Sequence, residues 1–132
     1  MARKAQDVTE AELAILEKLW DDGPSSVRNL AIALYGSPST SNTATVQKLL
    51  GRLESKDCVA RDQSVWPRLF RPSIARAELI GRRLQMTADD LCEGSLGPLL
   101  THLVQNGTLS RSERSKLKSL LAELDGAQQR GS

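Results

Sequence analysis

The 132-residue sequence predicts a mainly α-helical protein with one small β-hairpin. Apolar residues recur at helical spacing along most of the chain, and several of these segments begin at a capping residue and end at a glycine. The interval 58–71 is the exception, because two short extended segments flank a turn there. Apolar residues make up 39% of the chain and charged residues 26%, which is usual for a globular protein.

The first two predicted helices have clear boundaries. Thr9 and Glu12 have the spacing of a capping box, and the apolar stripe that follows them ends at Gly23-Pro24. The second helix starts after Ser25-Ser26, either of which can cap it. Gly36 fits the left-handed position that ends a helix.

The third helix is predicted from about Asn42 to about Lys56 and has two different faces. One face is apolar, with spacing i, i+3, i+4 and i+7, and consists of Val46, Leu49, Leu50 and Leu53. The opposite face is centred on Ala44, Lys48, Gly51 and Ser55. Small and hydrogen-bonding residues at these positions allow the helix to approach another surface closely.

A basic hairpin follows the third helix. Its arms are predicted at residues 58–61 and 68–71, and each arm ends in an arginine. Three helices followed by a hairpin is the order of a winged helix-turn-helix, in which the hairpin is the wing.

Charge is distributed unevenly along the predicted winged helix. Residues 7–22 carry six acidic residues and one basic residue, whereas residues 41–76 carry seven basic and three acidic residues. This asymmetry indicates either a face for a polyanion or an ordinary mixed surface.

The remaining chain is predicted to be helical. Ser73 caps a long helix from about Ile74 to about Glu93, Pro98 opens a short helix that ends at Gly107, and the pair Ser110 and Glu113 forms a second capping box. We therefore predict a winged domain at residues 1–72, a helical dimerisation domain at residues 73–126 and a disordered tail at residues 127–132.

Leucine-rich helices at the end of so short a chain lack a second layer that could cover their apolar faces. Pairing with an identical copy would cover them, and folding back onto the first domain is the alternative. The candidate interface residues are Ile80, Leu84, Leu91, Leu99, Leu100, Leu103, Leu117, Leu120, Leu121 and Leu124.

Several functional classes are not expected. One histidine, the lack of a glycine-rich phosphate loop and the lack of a metal-ligand cluster argue against an enzyme. Cys58 and Cys92 lie far apart, so we expect two reduced thiols, with neither structural zinc nor any cofactor. No apolar run is long enough for a membrane span or a secretory signal, and we therefore expect a cytoplasmic location.

Residues 45–57 read TVQKLLGRLESKD, and this stretch resembles the recognition helix of the BlaI/MecI/CopY family of transcriptional repressors, the penicillinase repressor family. That helix follows the pattern T-V/I-x-x-L-L/I-x-R-L-x-x-K-G. Residues 12–20 are similar to the first helix of the family, which commonly ends in a tryptophan. Residues 91–100, followed by Leu109-Ser110, are similar to its dimerisation segment. The resemblance covers about residues 7 to 124.

This resemblance implies a homodimeric winged-helix repressor of resistance or stress genes that binds double-stranded operator DNA. Some members are inactivated when a sensor-linked protease cuts the dimerisation segment, and the corresponding position here is near His102-Leu103. The family bond typically joins an asparagine to an aromatic residue, so this chain departs from the pattern. It also lacks the C-terminal cysteine motif of the copper-sensing members, and copper sensing by that route is not expected.

In helix-turn-helix proteins the first turns of the recognition helix meet base edges. The candidate base-reading residues are Thr43, Ala44, Thr45, Gln47 and Lys48. The candidate contacts to the DNA backbone are Ser41, Arg52, Arg61, Arg68 and Arg71. Gln47 stands where the family commonly has arginine, and Lys48 where it commonly has threonine, which implies a different operator sequence.

The sequence leaves two alternatives to a DNA-binding repressor of this type. The winged helix could serve as a protein-interaction module without DNA binding, although the basic bias from Lys48 to Arg76 favours DNA. A repressor that senses redox state through Cys58 and Cys92 is the other alternative.

Overall fold

The structure of the chain is a computed structural model. It describes residues 7–131, and for residues 128–131 the backbone alone. Six helices and two strands follow one another in this part of the chain. In chain order they are α1 (Glu10–Asp22), α2 (Val27–Tyr35), α3 (Thr40–Ser55), β1 (Val59–Asp62), β2 (Leu69–Pro72), α4 (Arg76–Leu91), α5 (Gly97–Gln105) and α6 (Arg111–Gly131).

The chain divides into two compact units, Met1–Ile80 and Gly81–Ser132. The division falls inside α4, eight residues after the boundary that the sequence predicts between residues 72 and 73. Ile74 and Leu79 explain the difference, because both side chains are buried in the core of the first unit. The division of the chain into a DNA-binding domain and a dimerisation domain at residue 72 stays a prediction.

The first unit is a winged helix, as the sequence predicts. Helices α1, α2 and α3 pack around one core, and the hairpin packs against it. The residues that fill this core are Val8, Ile15, Leu16, Leu19, Leu30, Ala31, Val46, Leu49, Leu50, Leu53, Cys58, Val59, Phe70, Ile74 and Leu79.

Local capping explains where the first three helices begin. The capping box is present at α1, where the Thr9 backbone N–H donates to Glu12 Oε1 (3.0 Å) and the Glu12 N–H donates to Thr9 Oγ1 (3.2 Å). Ser26 caps α2. Ser39 caps α3, which therefore starts at Thr40, two residues before the predicted start.

The hairpin is antiparallel and pairs Arg61 with Phe70 and Ala60 with Arg71. Ser25 adds a single bridge at its edge, since its N–H donates to the Phe70 carbonyl (3.0 Å) and its carbonyl accepts from the Phe70 N–H (2.8 Å). Ser25 therefore joins the hairpin to the α1–α2 connection. Because Ser25 is engaged there, Ser26 caps α2 in place of Ser25.

Helix α4 starts at Arg76, two residues after the predicted start. The carbonyl of Ile74 accepts a hydrogen bond from Trp20 Nε1 (2.9 Å), and the Arg76 guanidinium lies 5.0 Å from the centre of the Trp20 ring. The residues before α4 are thus held against α1 and do not form the first helical turn.

The second unit contains the rest of α4 with α5 and α6. Gly94 (φ 84°) follows the end of α4 and Gly107 (φ 65°) follows α5, as the sequence predicts. The second capping box is present, because the Ser110 N–H donates to Glu113 Oε1 (2.9 Å) and the Glu113 N–H donates to Ser110 Oγ (3.1 Å). Helix α6 runs to Gly131, although the sequence predicts a disordered tail from residue 127. Ser132 lies outside the described residues.

Candidate nucleic-acid interface

Helix α3 has one buried face and one exposed face, as the sequence predicts. Its four periodic apolar residues belong to the core of the first unit. The opposite face, with Ala44, Lys48, Gly51 and Ser55, is exposed to solvent. A Cβ atom added at Gly51 would meet no other atom within 4 Å, so the backbone itself is open at this point. This face can approach a large ligand closely.

Both threonines of the candidate base-reading set use their hydroxyl protons within the helix. Thr43 Oγ1 donates to the carbonyls of Ser39 (3.0 Å) and Thr40 (3.1 Å), and Thr45 Oγ1 donates to the carbonyl of Ser41 (3.1 Å). Each side chain therefore offers a methyl group and an accepting oxygen. In a major groove, such a methyl group can contact the methyl group of thymine.

The candidate base-reading residues do not all point in one direction. At about 100° per residue, Thr43 and Thr45 are separated by about 200° around the helix. Gln47 lies on the same flank as Thr43, whereas Arg52 lies on the flank of Thr45. Ala44 and Lys48 occupy the centre of the exposed face. A flat surface would therefore meet the central residues and one flank, whereas the walls of a groove could meet both flanks.

The sequence predicts that Arg61 contacts phosphate, and in the structure Arg61 has an internal partner. Its Nε donates to Glu54 Oε2 (2.8 Å) and its Nη2 to Glu54 Oε1 (2.7 Å). The guanidinium also lies 5.3 Å from the centre of the Phe70 ring. The hydrogen bond from Arg61 lowers the pKa of Glu54, and the same bond raises the pKa of Arg61, so both groups are charged at neutral pH. Arg61 thus ties the wing to the last turns of α3.

The other wing arginines lie in different places. Arg68 comes just before β2, and its guanidinium lies 6.0 Å from the centre of the Trp66 ring. Arg71 pairs with Ala60, whereas Arg61 pairs with Phe70, so Arg61 and Arg71 lie on opposite faces of the hairpin. The charge of Arg71 acts on Asp62, whose pKa is lowered chiefly by hydrogen bonds from Ser64.

Part of the predicted set meets in one cleft, which is formed by the start of α2, one flank of α3 and the wing. Four predicted contacts line it: Thr43, Gln47, Arg61 and Arg68. The other six predicted contacts do not: Ser41, Ala44, Thr45, Lys48, Arg52 and Arg71. The predicted contacts therefore fall into two groups, one that lines the cleft and one that lies outside it.

Three polar or aromatic residues of this cleft, Arg28, Asn29 and Trp66, are not among the contacts that the sequence predicts. Arg28 and Asn29 lie in the first turn of α2. In the sequence, a basic residue followed by an amide residue at the start of this helix is the feature that could indicate a DNA contact. Trp66 is 84% exposed in the wing turn. An aromatic residue between two arginine-bearing arms is a visible signal for a nucleic-acid contact.

The second unit has an exposed apolar face. Most of the predicted interface residues are exposed, among them Leu91 (79%), Leu100 (55%) and Leu124 (54%), whereas Leu99 and Leu117 are half-buried. None of the residues of α5 is buried. Leucines in such number on a surface are typical of an interaction face.

A comparison with known families covers nearly the whole chain. The sequence model of the family described as penicillinase repressor matches residues 8–123. The chain belongs to the penicillinase repressor family. It is accordingly a DNA-binding transcriptional repressor, and the exposed face of α3 lies within the matched residues.

Two other proteins are similar to this repressor. A protein of Latilactobacillus sakei, described as an uncharacterized 16.5 kDa protein, is 24% identical over 121 residues, which cover 92% of this chain and 82% of that protein. The crystal structure of a transcriptional regulator from Thermotoga maritima is similar with a TM-score of 0.49 and 22% identity, covering 94% of this chain and 78% of that one.

The cysteines of the repressor lie in different surroundings. Cys58 is buried in the core of the winged helix, and Cys92 is half-buried after α4. Within residues 7–127, no three histidine, cysteine or acidic side chains are grouped so that they could hold a metal ion. None of the helices in the described part is both long and apolar enough to span a bilayer.

Proposed function

We propose that this repressor acts as a homodimer that binds a two-fold symmetric operator, with α3 of each copy in a major groove. The exposed face of α3 carries this proposal. The side chains of Gln47 and Lys48 have no hydrogen-bond or ion-pair partner among residues 7–127, and the small residues Ala44 and Gly51 lie beside them. Polar groups without a partner beside an open backbone are suited to the edges of bases.

Gln47 is the proposed reader of one base pair in each half-site. Its amide can accept from adenine N6 and donate to adenine N7 at the same time, which no other base in the major groove matches. Lys48, at the centre of the face, supplies a cation for a guanine edge or a phosphate. Thr43 and Thr45 contribute methyl contacts from the two flanks.

A selection of binding sites from random duplexes tests this role. The wild-type chain should recover a two-fold sequence, and Gln47→Ala should lose preference at one base pair per half-site, with a cost of about 1–3 kcal/mol there. Gln105→Ala removes an exposed glutamine from the second unit and is the matched control. An unchanged preference in Gln47→Ala would show that Gln47 does not read the operator.

The exposed leucines of the second unit are the proposed dimer interface. A single winged helix makes few contacts, whereas two linked copies bind two half-sites at a high effective concentration. A second copy would also cover side chains such as Leu120, Leu121 and Leu124, each at least half exposed. We therefore expect half-sites one helical turn of DNA, or a small multiple of it, apart.

Induction is proposed to act on the same segment through a sensor-linked protease. His102 and Leu103 are exposed in α5, a short helix in which no residue is buried. A helix with few buried contacts opens locally at low cost, and proteases cut opened backbone. Cleavage there would release Leu103 and all of α6 from the interface, so dimerisation and operator affinity would fall together.

Truncation after Thr101 tests the dimer and its release. The truncated chain should sediment as a monomer and lose operator affinity, while its winged helix keeps its fold by circular dichroism. Truncation after Gly126 keeps every predicted interface leucine and is the control. If the chain cut after Thr101 still sediments as a dimer and binds one operator as tightly as the intact chain, the second unit is not the dimerisation device.

A further inference from the structure

The cleft between the start of α2, α3 and the wing contains residues that the proposed base reading does not use. Its volume is about 680 Å³. The residues that line it are Ser26, Val27, Arg28, Asn29, Thr43, Gln47, Leu50, Arg61, Trp66, Pro67, Arg68 and Phe70. Three are arginines, and none of these described lining residues is acidic. Its floor is apolar at Leu50 and Phe70, which are both buried core residues.

The positive charge of the cleft comes mainly from two of the three arginines. Glu54 neutralises Arg61 through two hydrogen bonds. Arg28 is exposed, and its guanidinium has no hydrogen-bond or ion-pair partner within residues 7–127. Arg68 is also exposed, and the Trp66 ring is its described neighbour. The start of α2 and the wing therefore each present one available cation to the cleft.

Trp66 adds an apolar surface to the same cleft. It is 84% exposed, and the neighbouring Val65 is 41% exposed. The Arg68 guanidinium lies 6.0 Å from the centre of the indole ring, so the cation and the aromatic surface stand together. A large apolar side chain left in water beside two cations fits a ligand that is anionic and also has an apolar face. The sugar–phosphate backbone has both properties.

We propose that the cleft holds one sugar–phosphate strand of double-stranded DNA, with Arg28 and Arg68 on phosphates and Trp66 against a deoxyribose. This proposal rests on the proposed function and deepens it, since it adds Arg28 and Trp66 to the DNA contacts. Gln47 and Thr43 form the α3 wall of the cleft. A strand held here is therefore next to the base that Gln47 reads, and the cleft positions that base.

Two variants of the full chain test the contacts. Arg28→Ala and Trp66→Ala should each weaken binding about tenfold, or about 1.4 kcal/mol, both to a duplex selected from a random pool and to a duplex of random sequence. Contacts to the sugar–phosphate backbone do not distinguish one DNA sequence from another, so the loss of affinity should be similar for both duplexes. Arg28→Ala should also lower the slope of log affinity against log salt by about one, whereas neutral Trp66→Ala should leave it unchanged. Arg114→Ala, an exposed arginine of α6, is the control.

Fluorescence gives a second, independent readout. The chain has two tryptophans, so Trp20→Phe leaves Trp66 as the only one. Acrylamide should quench Trp66 strongly in the free protein and weakly after either duplex is added. If concentrating the protein without DNA protects Trp66 equally, the cleft is filled by a second copy of the chain and the proposal is overturned.

The outcomes separate this proposal from the proposed function. If the wild-type chain binds neither duplex, the proposed function fails and the cleft proposal fails with it. If the wild-type chain binds both, while Arg28→Ala and Trp66→Ala bind equally well and Trp66 stays open to acrylamide, only the cleft proposal is overturned.

Discussion

Lys56 and Glu12 form an ion pair that joins the end of α3 to the start of α1. Lys56 Nζ lies 2.6 Å from Glu12 Oε1 and donates a second hydrogen bond to the carbonyl of Asp7 (2.7 Å). The Glu12 side chain is fully buried, and its Oε2 has no hydrogen-bond partner among the described residues. The pair therefore fixes the end of the helix that carries the proposed DNA-binding face.

Lys56→Met should destabilise the winged helix strongly, because it leaves a buried carboxylate without its cation. We expect a loss of about 3 kcal/mol in the free energy of unfolding, the usual cost of breaking a buried pair from one side. Urea unfolding followed by circular dichroism measures it.

Lys18→Ala is the matched control, since Lys18 pairs with Asp22 across one helical turn at the surface (3.5 Å). It should cost only about 0.3–0.5 kcal/mol. Equal losses in the two variants would contradict a structural role for the buried pair.

The contribution of Glu12 should depend on pH in a defined direction. Burial raises the pKa of Glu12, but hydrogen bonds from Lys56 and Thr9 and the charges of Lys56 and Arg52 outweigh it and leave the pKa below 4.5. A carboxyl whose pKa is lowered on folding stabilises the protein above its unfolded pKa, and this stabilisation is lost as the pH falls through the folded pKa.

We therefore compare the wild type with Glu12→Gln, which keeps a hydrogen-bonding group for the capping box. The wild type should be more stable at neutral pH, and the difference in unfolding free energy should shrink below pH 4.5. Urea unfolding between pH 7 and pH 3 measures it, and Glu17→Gln on the exposed side of α1 is the baseline. A difference in unfolding free energy that grew as the pH fell would contradict the predicted direction of this pH dependence.

Gly51 should matter for DNA and not for the fold. It lies inside α3, where a glycine costs about 0.5–1 kcal/mol compared with a better helix former, and no atom would obstruct a side chain there. Gly51→Met should therefore fold at least as stably as the wild type and bind operator DNA at least about tenfold more weakly, a change of about 1.4 kcal/mol.

Gly81→Met is the control, because Gly81 lies inside α4 with equally open space around it. Thermal unfolding and gel-shift titration give the two readouts. Undiminished DNA binding by Gly51→Met would mean that this face of α3 does not approach DNA.

Arg61 should act as a positioning residue, in contrast to the phosphate contact that the sequence predicts. Because Arg61 is bound to Glu54, Arg61→Ala should weaken binding by loosening the wing and leave the salt dependence nearly unchanged. Arg68→Ala should lower the slope of log affinity against log salt by about one. Titrations at several salt concentrations measure both slopes. If the slope for Arg61→Ala fell by one unit, Arg61 would be shown to contact phosphate.

Short-range signals explain what could be predicted for the fold. Capping depends on residues three positions apart, and a buried helical face depends on residues three or four positions apart. The sequence therefore predicts the capping boxes at Thr9 and Ser110 and the buried face of α3, and the structure confirms them. The sequence predicts the start of α4 two residues too early, because the burial of Ile74 depends on residues that are distant in sequence.

The sequence by itself determined the winged-helix order, the family, and the face of α3 that is left open, because periodicity and motif spacing are properties of neighbouring residues. Only the tertiary structure decided how the charges are partnered. Lys56 and Glu12 are 44 positions apart and Arg61 and Glu54 are seven apart, and whether such groups meet depends on how α1, α3 and the wing pack. The same packing brings Arg28 and Trp66, 38 residues apart in sequence, to one cleft.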